Sequence, residues 1–372
     1  MGNHELVKKI FILGGSYLQL DIILEAKKMF FYVFVLDMDK KCIGKKYCDD
    51  FLQIDIKDKN LILQKSKEYK IDMILTSATE YGNISACYVA QELGLNTNSY
   101  QTALNTTDKS LMKEVLIKSN IKTPKYKVFG QGGSLEYHAF PCIVKPSDSS
   151  SAKGLSYCTC EKDFKNALVK AKKYSNNNKI IVEEYIKGKQ YSVECISSNA
   201  QHQILAINKE EIRSEPSITE VGHELPAKIS NKLEKELNKI SFDILKCFDI
   251  KYGASHLEFR VNELDEIYII ELATRTGGWR SEMINLAFGI SYSQLLLLSY
   301  LDSLPTFAPA FKRNIKCNFL LDYKAYEKYL EYKENDNYLV FEPFALPDID
   351  KDFIAYHLGE SKGYYYLMEN AK

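Results

Sequence analysis

Over its first hundred residues the chain alternates short apolar runs with segments in which apolar residues return every three or four positions. Residues 9–13, 32–37 and 73–77 are apolar runs and read as strands, whereas 19–30, 59–69 and 83–93 carry the helical repeat. That rhythm builds a parallel sheet covered by helices. A further helix is predicted over 107–119, with Asp108 as its N-cap and Pro124 beyond its end. Strand patterns return at 140–145 and 179–186, and then in a hairpin, where 256–260 and 268–275 alternate with period two about the polar turn 262–266. Residues 288–301 are the most apolar stretch, but a Gln and several Ser and Tyr among them favour a buried helix over a membrane span. After Pro305 the strand candidates are 314–321, 338–344 and 363–368, rich in tyrosine.

The hairpin concentrates the chemistry. A turn centred between Leu264 and Asp265 places Glu258 directly opposite Glu271 and His256 opposite Ala273. Facing carboxylates about 5 Å apart repel unless a cation lies between them. Hard oxygens in that arrangement suit Mg2+, which keeps several waters and commonly takes one or two carboxylates together with nucleotide phosphates. A solvated strand face neutralised by Arg260 and Arg275 is the alternative. Upstream, Lys145 ends an apolar strand beside the small-residue loop 147–154, where a point charge and backbone N–H groups can hold phosphates. The alternatives there are a snorkelling edge lysine and a loop without a ligand. Gly14-Gly15-Ser16 opens a helix as a phosphate-binding turn would, and Asp37 ends the second strand where a dinucleotide fold places its ribose-binding acid. The G-x-G-x-x-G spacing is absent, so a tight turn binding another ligand, or nothing, competes with NAD.

At 372 residues the chain has room for two or three domains of about 150 residues. Its 49 Lys and Arg balance 49 Asp and Glu, so no net field draws it to nucleic acid or to an anionic membrane. The polar N-terminus enters an apolar run too short for a signal peptide, and a cytoplasmic protein is expected. Nine cysteines without a C-x-x-C pair are expected as reduced structural thiols.

In order along the chain stand T-D-K at 107–109, F-P-C-I-V-K-P at 140–146, S-S-S-A-K-G at 149–154, V-E-E-Y-I at 182–186, H-L-E-F at 256–259 and I-E-L-A-T-R-T-G-G at 270–278. Together they resemble the ATP-grasp superfamily, whose members clamp ATP between two α+β subdomains, over roughly residues 9–300. The front end, I-L-G-G-S-Y-L-Q-L through V-L-D-M-D and Y-C-D-D-F, resembles its carboxylate–amine ligases, many encoded among surface-polysaccharide genes or making dipeptides. The implied fold class is α/β and α+β: a Rossmann-like preATP-grasp domain at 1–104 and an ATP-grasp domain at 105–308, with a lid subdomain at about 125–187. A small β-rich C-terminal appendage at 309–372 follows, without assigned chemistry.

The resemblance implies ATP and Mg2+, with Mn2+ as a substitute. Lys109 and Lys145 would contact the α- and β-phosphates, and Ser149, Ser150, Ser151 and Gly154 would fold over them. Glu183 would accept from the adenine amino group, with Glu184, Tyr185 and Ile186 along the ring edge, and Gln190 stands where relatives place a carboxylate for the ribose. Glu258 and Glu271 would hold the metal. Arg275 would meet the γ-phosphate or the acyl phosphate made from it, and the N–H groups of Gly277 and Gly278 would serve a tetrahedral oxyanion. Substrate candidates are Arg213, as a carboxylate fork, His223, Trp279 and His256. A solvated loop competes for Arg213 and a core position for Trp279. His256 faces Ala273, which replaces the metal-binding Asn of many relatives, and would act as a ligand or as a donor behind the metal.

The implied reaction is ADP-forming amide synthesis through an acyl phosphate, between an amino acid and a second amino acid or an amino-sugar nucleotide. Two other readings stay open. One takes bicarbonate as the acid, as carboxylases and carbamoyl-phosphate synthases do; the other is a nucleotide-binding protein that has lost turnover, motivated by Ala273 and Gln190. The expected partners are a small-molecule carboxylate and amine, with no nucleic acid and no membrane. A homodimer stays open, because the helix 291–301 suits an interface as well as a core.

Overall fold

The computed structural model of the protein describes residues 7–130, 139–215, 217–306, 310–335 and 337–370, and three sheets organise them. The first is parallel, β1 (Lys9–Leu13), β2 (Tyr32–Leu36), β3 (Asp50–Leu52) and β4 (Met73–Leu75) standing in the order β3-β2-β1-β4. Its helices are α1 (Tyr17–Lys28), α2 (Lys59–Tyr69) and α3 (Glu80–Leu93). From Ile10 to Leu13, β1 is apolar because both faces are covered. Ile10 and Ile12 enter one core with α1 and the C-terminal half of the chain, while Phe11 and Leu13 enter another under α2 and α3.

The turn after β1 is structural. Asp37 accepts from the Gly15 N–H at 2.8 Å through one oxygen and from the Asp39 N–H at 2.8 Å through the other, so the carboxylate expected for an NAD ribose is spent on the turn itself. A Cβ at Gly15 would lie 2.6 Å from the Cys42 sulfur, which requires glycine there. Ser16 and Gln19 form a capping box that starts α1 two residues before the apolar repeat.

Helices α4 (Tyr100–Thr107) and α5 (Lys109–Lys118) lead to the second sheet, with Asp108 capping α5 as expected. β5 (Tyr126–Phe129), β6 (Cys142–Pro146), β7 (Ser156–Cys158) and β8 (Ile180–Glu184) form it in the order β5-β8-β6-β7. α6 (Glu161–Tyr174) backs it with Phe164, Ala167, Leu168 and Ala171, a stripe at helical spacing. These elements lie within the stretch expected as a lid. Cys142 and Cys158 pair across β6 and β7 and, like every described cysteine, carry no disulfide.

The third sheet has eight strands. They are β9 (Lys189–Ser198), β10 (Gln201–Arg213), β11 (Thr219–Leu225), β12 (Gly253–Val261), β13 (Ile267–Ala273), β14 (Arg313–Phe319), β15 (Leu339–Phe341) and β16 (Tyr364–Asn370), in the order β13-β12-β9-β10-β11-β14-β16-β15. α7 (Asn231–Cys247) packs Leu237, Ile244 and Leu245 against one face. α8 (Arg280–Phe288) and α9 (Tyr292–Tyr300) join the core that also receives β1. α10 (Tyr323–Lys333) lies over the last strands.

One expectation needs correction here. The C-terminal segment is not a separate appendage, because β14 pairs with β11 and the last three strands continue the central sheet; it also contains α10. Of the two uses open to the helix 291–301, the core takes Tyr292, Leu295, Leu296 and Leu297, all buried within one chain. Among the described residues no single helix is long and apolar enough to cross a membrane.

Candidate functional site

Register builds the site. In β9, alternation sends Tyr191, Val193 and Cys195 into the core under α7 and leaves Gln190, Ser192 and Glu194 on the opposite face. Pairing then sets three polar rows across β13, β12, β9 and β10: Glu271, Glu258, Ser192 and Asn208; Ala273, His256, Glu194 and Ala206; Tyr268, Arg260, Gln190 and Glu210. Glu258 faces Glu271 and His256 faces Ala273, as the sequence predicts. The hairpin tip is nevertheless one residue tighter than expected, Val261 pairing with Ile267, and a bulge at Ile270 restores the register. Because of the bulge, two successive residues, Ile270 and Glu271, both line the cleft.

That cleft, about 1020 Å³, runs between this face and the lid sheet. Lys109, Lys145, Ser149, Ser150, Ser151, Glu183, Glu184, Tyr185, Ile186, Gln190, Glu258, Glu271 and Arg275 all line it. Gly154 stands behind the loop with φ +77°, where a Cβ would lie 2.9 Å from Pro146. Each cation expected to meet phosphate has a carboxylate partner. Lys109 Nζ lies 3.1 Å from Glu271 Oε2 and donates to the Ser149 carbonyl at 2.9 Å. Lys145 and Lys113 hold the two oxygens of Glu183 at 2.7 and 2.8 Å. Arg275 Nε donates to Glu80 Oε1 at 3.0 Å, and Nη2 pairs with the same oxygen.

His256 sits between Glu194 Oε1, 2.5 Å from Nδ1, and Glu258 Oε1, 3.2 Å from Nε2. Burial disfavours its charge, but the two carboxylates outweigh burial and push its pKa up to about 10. Its place fits both roles considered for it: it bonds Glu258 as a donor behind a metal would, and one ligand atom each of Glu210, His256 and Glu258 lie within 4.8 Å of one another, as a metal set would. Burial likewise opposes the charge on Glu258, yet the hydrogen bond and charge of His256 hold that carboxyl down at about 2. Hard-oxygen donors facing each other suit a divalent cation of the Mg2+ type.

Most of the groups expected to meet substrate or nucleotide already have protein partners. Glu183 has a lysine beside each oxygen and keeps further lone pairs that an adenine amino group could use. Gln190 donates to Glu210 Oε2 at 2.6 Å and accepts from Arg260 Nε at 2.9 Å, which leaves one N–H and one lone pair of the amide on the cleft. The Gly277 N–H donates to Glu194 at 3.2 Å instead of facing an oxyanion; a Cβ there would lie 2.6 Å from Glu194 Oε1. A Cβ at Gly278 would meet nothing within 4 Å. Arg213 points away from the cleft, paired with Asp322 at 2.9 Å and donating to the Ala355 carbonyl. His223 is buried behind the wall, accepting from Arg280 at 3.1 Å, and burial with the nearby Arg280 and His256 charges drives its pKa well below 6.5. Trp279 packs on Phe319, with ring centroids 4.6 Å apart, and borders a second cavity.

Sequence reasoning missed Lys113, Glu80, Glu194, Glu210, Glu220 and Arg280. Lys113 was within reach, since it lies four residues after Lys109 on the same helical face. Glu194 shares the alternation of Gln190 and Ser192. Glu80 and Arg280 reach their partners across 195 and 70 residues of sequence, and local pattern carries no sign of either. Glu220 lines the cleft with Thr219, 3.3 Å from His223 Nε2.

Comparison with known proteins places this geometry. Residues 138–283 match the family model described as an ATP-grasp domain. A D-alanine–D-alanine ligase of Fusobacterium nucleatum is 32% identical over 184 residues, 48% of this chain and 60% of that ligase. A formate-dependent phosphoribosylglycinamide formyltransferase of Prochlorococcus marinus strain MIT 9312 is 26% identical over 277 residues, 72% of this chain and 70% of its own. The chain thus spans between about half and three fifths of the first curated relatives it matches. Among solved structures, an L-amino acid ligase from Bacillus licheniformis superposes with a TM-score of 0.79 at 18% identity, covering 98% of this chain and 94% of that one. The N5-carboxyaminoimidazole synthetase of Staphylococcus aureus complexed with ADP gives 0.76 at 18%, covering 99% and 95%. Residues 138–283 therefore form an ATP-grasp domain, and nearly the whole chain shares the fold of these solved structures, an L-amino acid ligase among them.

Proposed function

We propose that the protein is an ADP-forming ligase that joins a carboxylate to an amine through an acyl phosphate, with an amino acid among its substrates. The observation that carries this reading is the meeting of Glu258 and Glu271 with Lys109, Lys145 and Arg275 around one cleft. A carboxylate does not react with an amine at neutral pH because its leaving group would be an oxide. Attack of a carboxylate oxygen on the γ-phosphorus, with release of ADP, replaces that leaving group by phosphate. The transition state is loose and its charge is spread over oxygens, so positioning and positive charge do the catalysis. Lys145 and Lys109 would hold phosphate oxygens, and Arg275 would stay with the transferred group. A divalent ion held by Glu258 and Glu271 would add charge neutralisation at the phosphates.

The amine nitrogen then attacks the carbonyl carbon, the carbon–oxygen bond to phosphate breaks, inorganic phosphate leaves and the amine gives up a proton. Ser149, Ser150 and Ser151 border the phosphate end of the cleft, where closure would exclude water. Tyr185 spends its N–H on the Pro141 carbonyl at 3.2 Å, so a base edge would rely on the groups beyond it. Glu220, on the cleft wall, is suited to the ammonium of an amino acid.

The test is Mg2+-dependent ADP release, screened over pairs of amino acids and amino-sugar nucleotides with and without bicarbonate, followed by mass spectrometry. Release that needs both an acid and an amine, with a product lighter than their sum by one water, is the expected result. Release with bicarbonate alone would move the protein to the carboxylating branch, and bound ATP without release under every pair would leave a nucleotide-binding protein.

A further inference from the structure

A second cavity, of about 750 Å³, adjoins the cleft through the chain itself: Arg275 lines the cleft, and Thr276 and Gly277 line the cavity. Segments far apart in the chain build it. Tyr17 and Asp21 come from α1, Trp279 and Glu282 from the start of α8, and Tyr364 from β16. No lysine or arginine is among its described lining residues, whereas two carboxylates are. Asp21 Oδ2 is held by hydroxyl donors, Ser281 at 2.5 Å and Ser293 at 2.8 Å, and Glu282 Oε2 accepts from the Tyr366 hydroxyl at 2.8 Å. The Trp279 and Tyr364 rings meet edge to face with centroids 5.8 Å apart. Burial and the charge of Asp21 push the Glu282 carboxyl above its ordinary range, against the Tyr366 hydrogen bond, and a cation between the two acids would relieve that repulsion. A cation over an aromatic ring is attracted by the ring's quadrupole, and the Trp279 and Tyr364 rings line this cavity.

Resting on the ligase reading above, we propose that this cavity receives the amine substrate and selects an acceptor that carries a second cationic group, guanidinium or ammonium, over one that carries a carboxylate. Thr276, which lines the cavity, directly follows Arg275 of the cleft, and an amine seated there would approach the acyl phosphate along that connection. The C-terminal segment thereby acquires a role, because Tyr364 closes one wall.

Agmatine, pentylamine and 5-aminopentanoate share a primary amine and differ at the far end, which is cationic, neutral or anionic. Calorimetry on the full chain should find agmatine bound at least about tenfold more tightly than 5-aminopentanoate, and Asp21→Asn or Glu282→Gln should remove most of that preference. Both variants keep a hydrogen-bond acceptor for their hydroxyl partners, and unchanged binding of a fluorescent ATP analogue would show that they fold. Equal or tighter binding of 5-aminopentanoate, or agmatine binding indifferent to both variants, would overturn the proposal. Mg2+-dependent ADP release with the same amines separates the two readings. Release without charge preference removes the cavity assignment and leaves the ligase, whereas charge-selective binding without release under any acid removes the ligase and leaves the cation site.

Discussion

At Glu183 burial and two ammonium groups pull in opposite directions. Burial would raise its pKa, but Lys113 and Lys145 outweigh burial and hold it at about 2. A carboxyl lowered in the folded state from an ordinary 4.5 contributes stability above that value and loses it as pH falls toward about 2. Glu183→Gln should therefore flatten the acid limb of a melting-temperature profile between about pH 4.5 and 2; an unchanged limb would remove the triad from the acid response. The same geometry assigns Lys145 two tasks, so Lys145→Met should raise the ATP requirement at least about tenfold while Lys113 keeps Glu183 paired. Glu271→Gln should lower ADP formation at least about 100-fold with the circular-dichroism spectrum intact, and turnover at the original rate would remove the metal assignment. The residue identities were legible in the sequence, but not all their roles. Motif order located Glu183 and Gln190 in the cleft wall and Gly277 just beyond it, while Lys113, Glu210 and Glu194, which bond to their polar groups, come from other elements.

The hairpin shows what an element can and cannot disclose. Alternation and a polar turn sufficed to oppose Glu258 to Glu271, because one face of the sheet is buried and a slip would expose it. The bulge at Ile270 was invisible, since a strand with one extra residue has the same composition as one without. Its effect is specific, placing an apolar side chain and a carboxylate side by side on the cleft. Deleting Ile270 should keep Glu271 opposite Glu258 but remove the apolar neighbour. The expected outcome is an ATP KM raised about tenfold with kcat largely retained, measured by ADP release. Loss of kcat with unchanged KM would mean that the bulge aims Glu271 instead.

On the scale of the whole molecule, distant segments hold the cleft. The β10–β11 connection, next to cleft residues Ile212 and Ile218, is tied to the C-terminal segment by Arg213 with Asp322 and by the Ser217 hydroxyl on the Tyr356 carbonyl. Asp322 also caps α10, and asparagine would keep that cap. Asp322→Asn should thus speed amide exchange over 212–220 about fivefold and leave α10 unchanged; equal protection in both proteins would show that the tie is idle. The first hundred residues were the most legible part, because a covered parallel sheet repeats locally. The C-terminal segment was the least, because pairing of β14 with β11 joins residues about ninety positions apart.

Three of the cations that line the cleft, together with Lys113 behind it, already have carboxylate partners. Lys109, Lys145, Lys113 and Arg275 face Glu271, Glu183, Glu258 and Glu80 before any nucleotide arrives. Nucleotide entry is then an ion exchange: phosphate displaces Glu271 from Lys109, and the released carboxylate keeps a place in the site by taking the metal that travels with the nucleotide. A charge-compensated vestibule projects little field into solution, so the rate of Mg-ATP association should fall only weakly as ionic strength rises. Metal-free ATP, which brings no replacement counterion for Glu271, should associate poorly at every salt concentration.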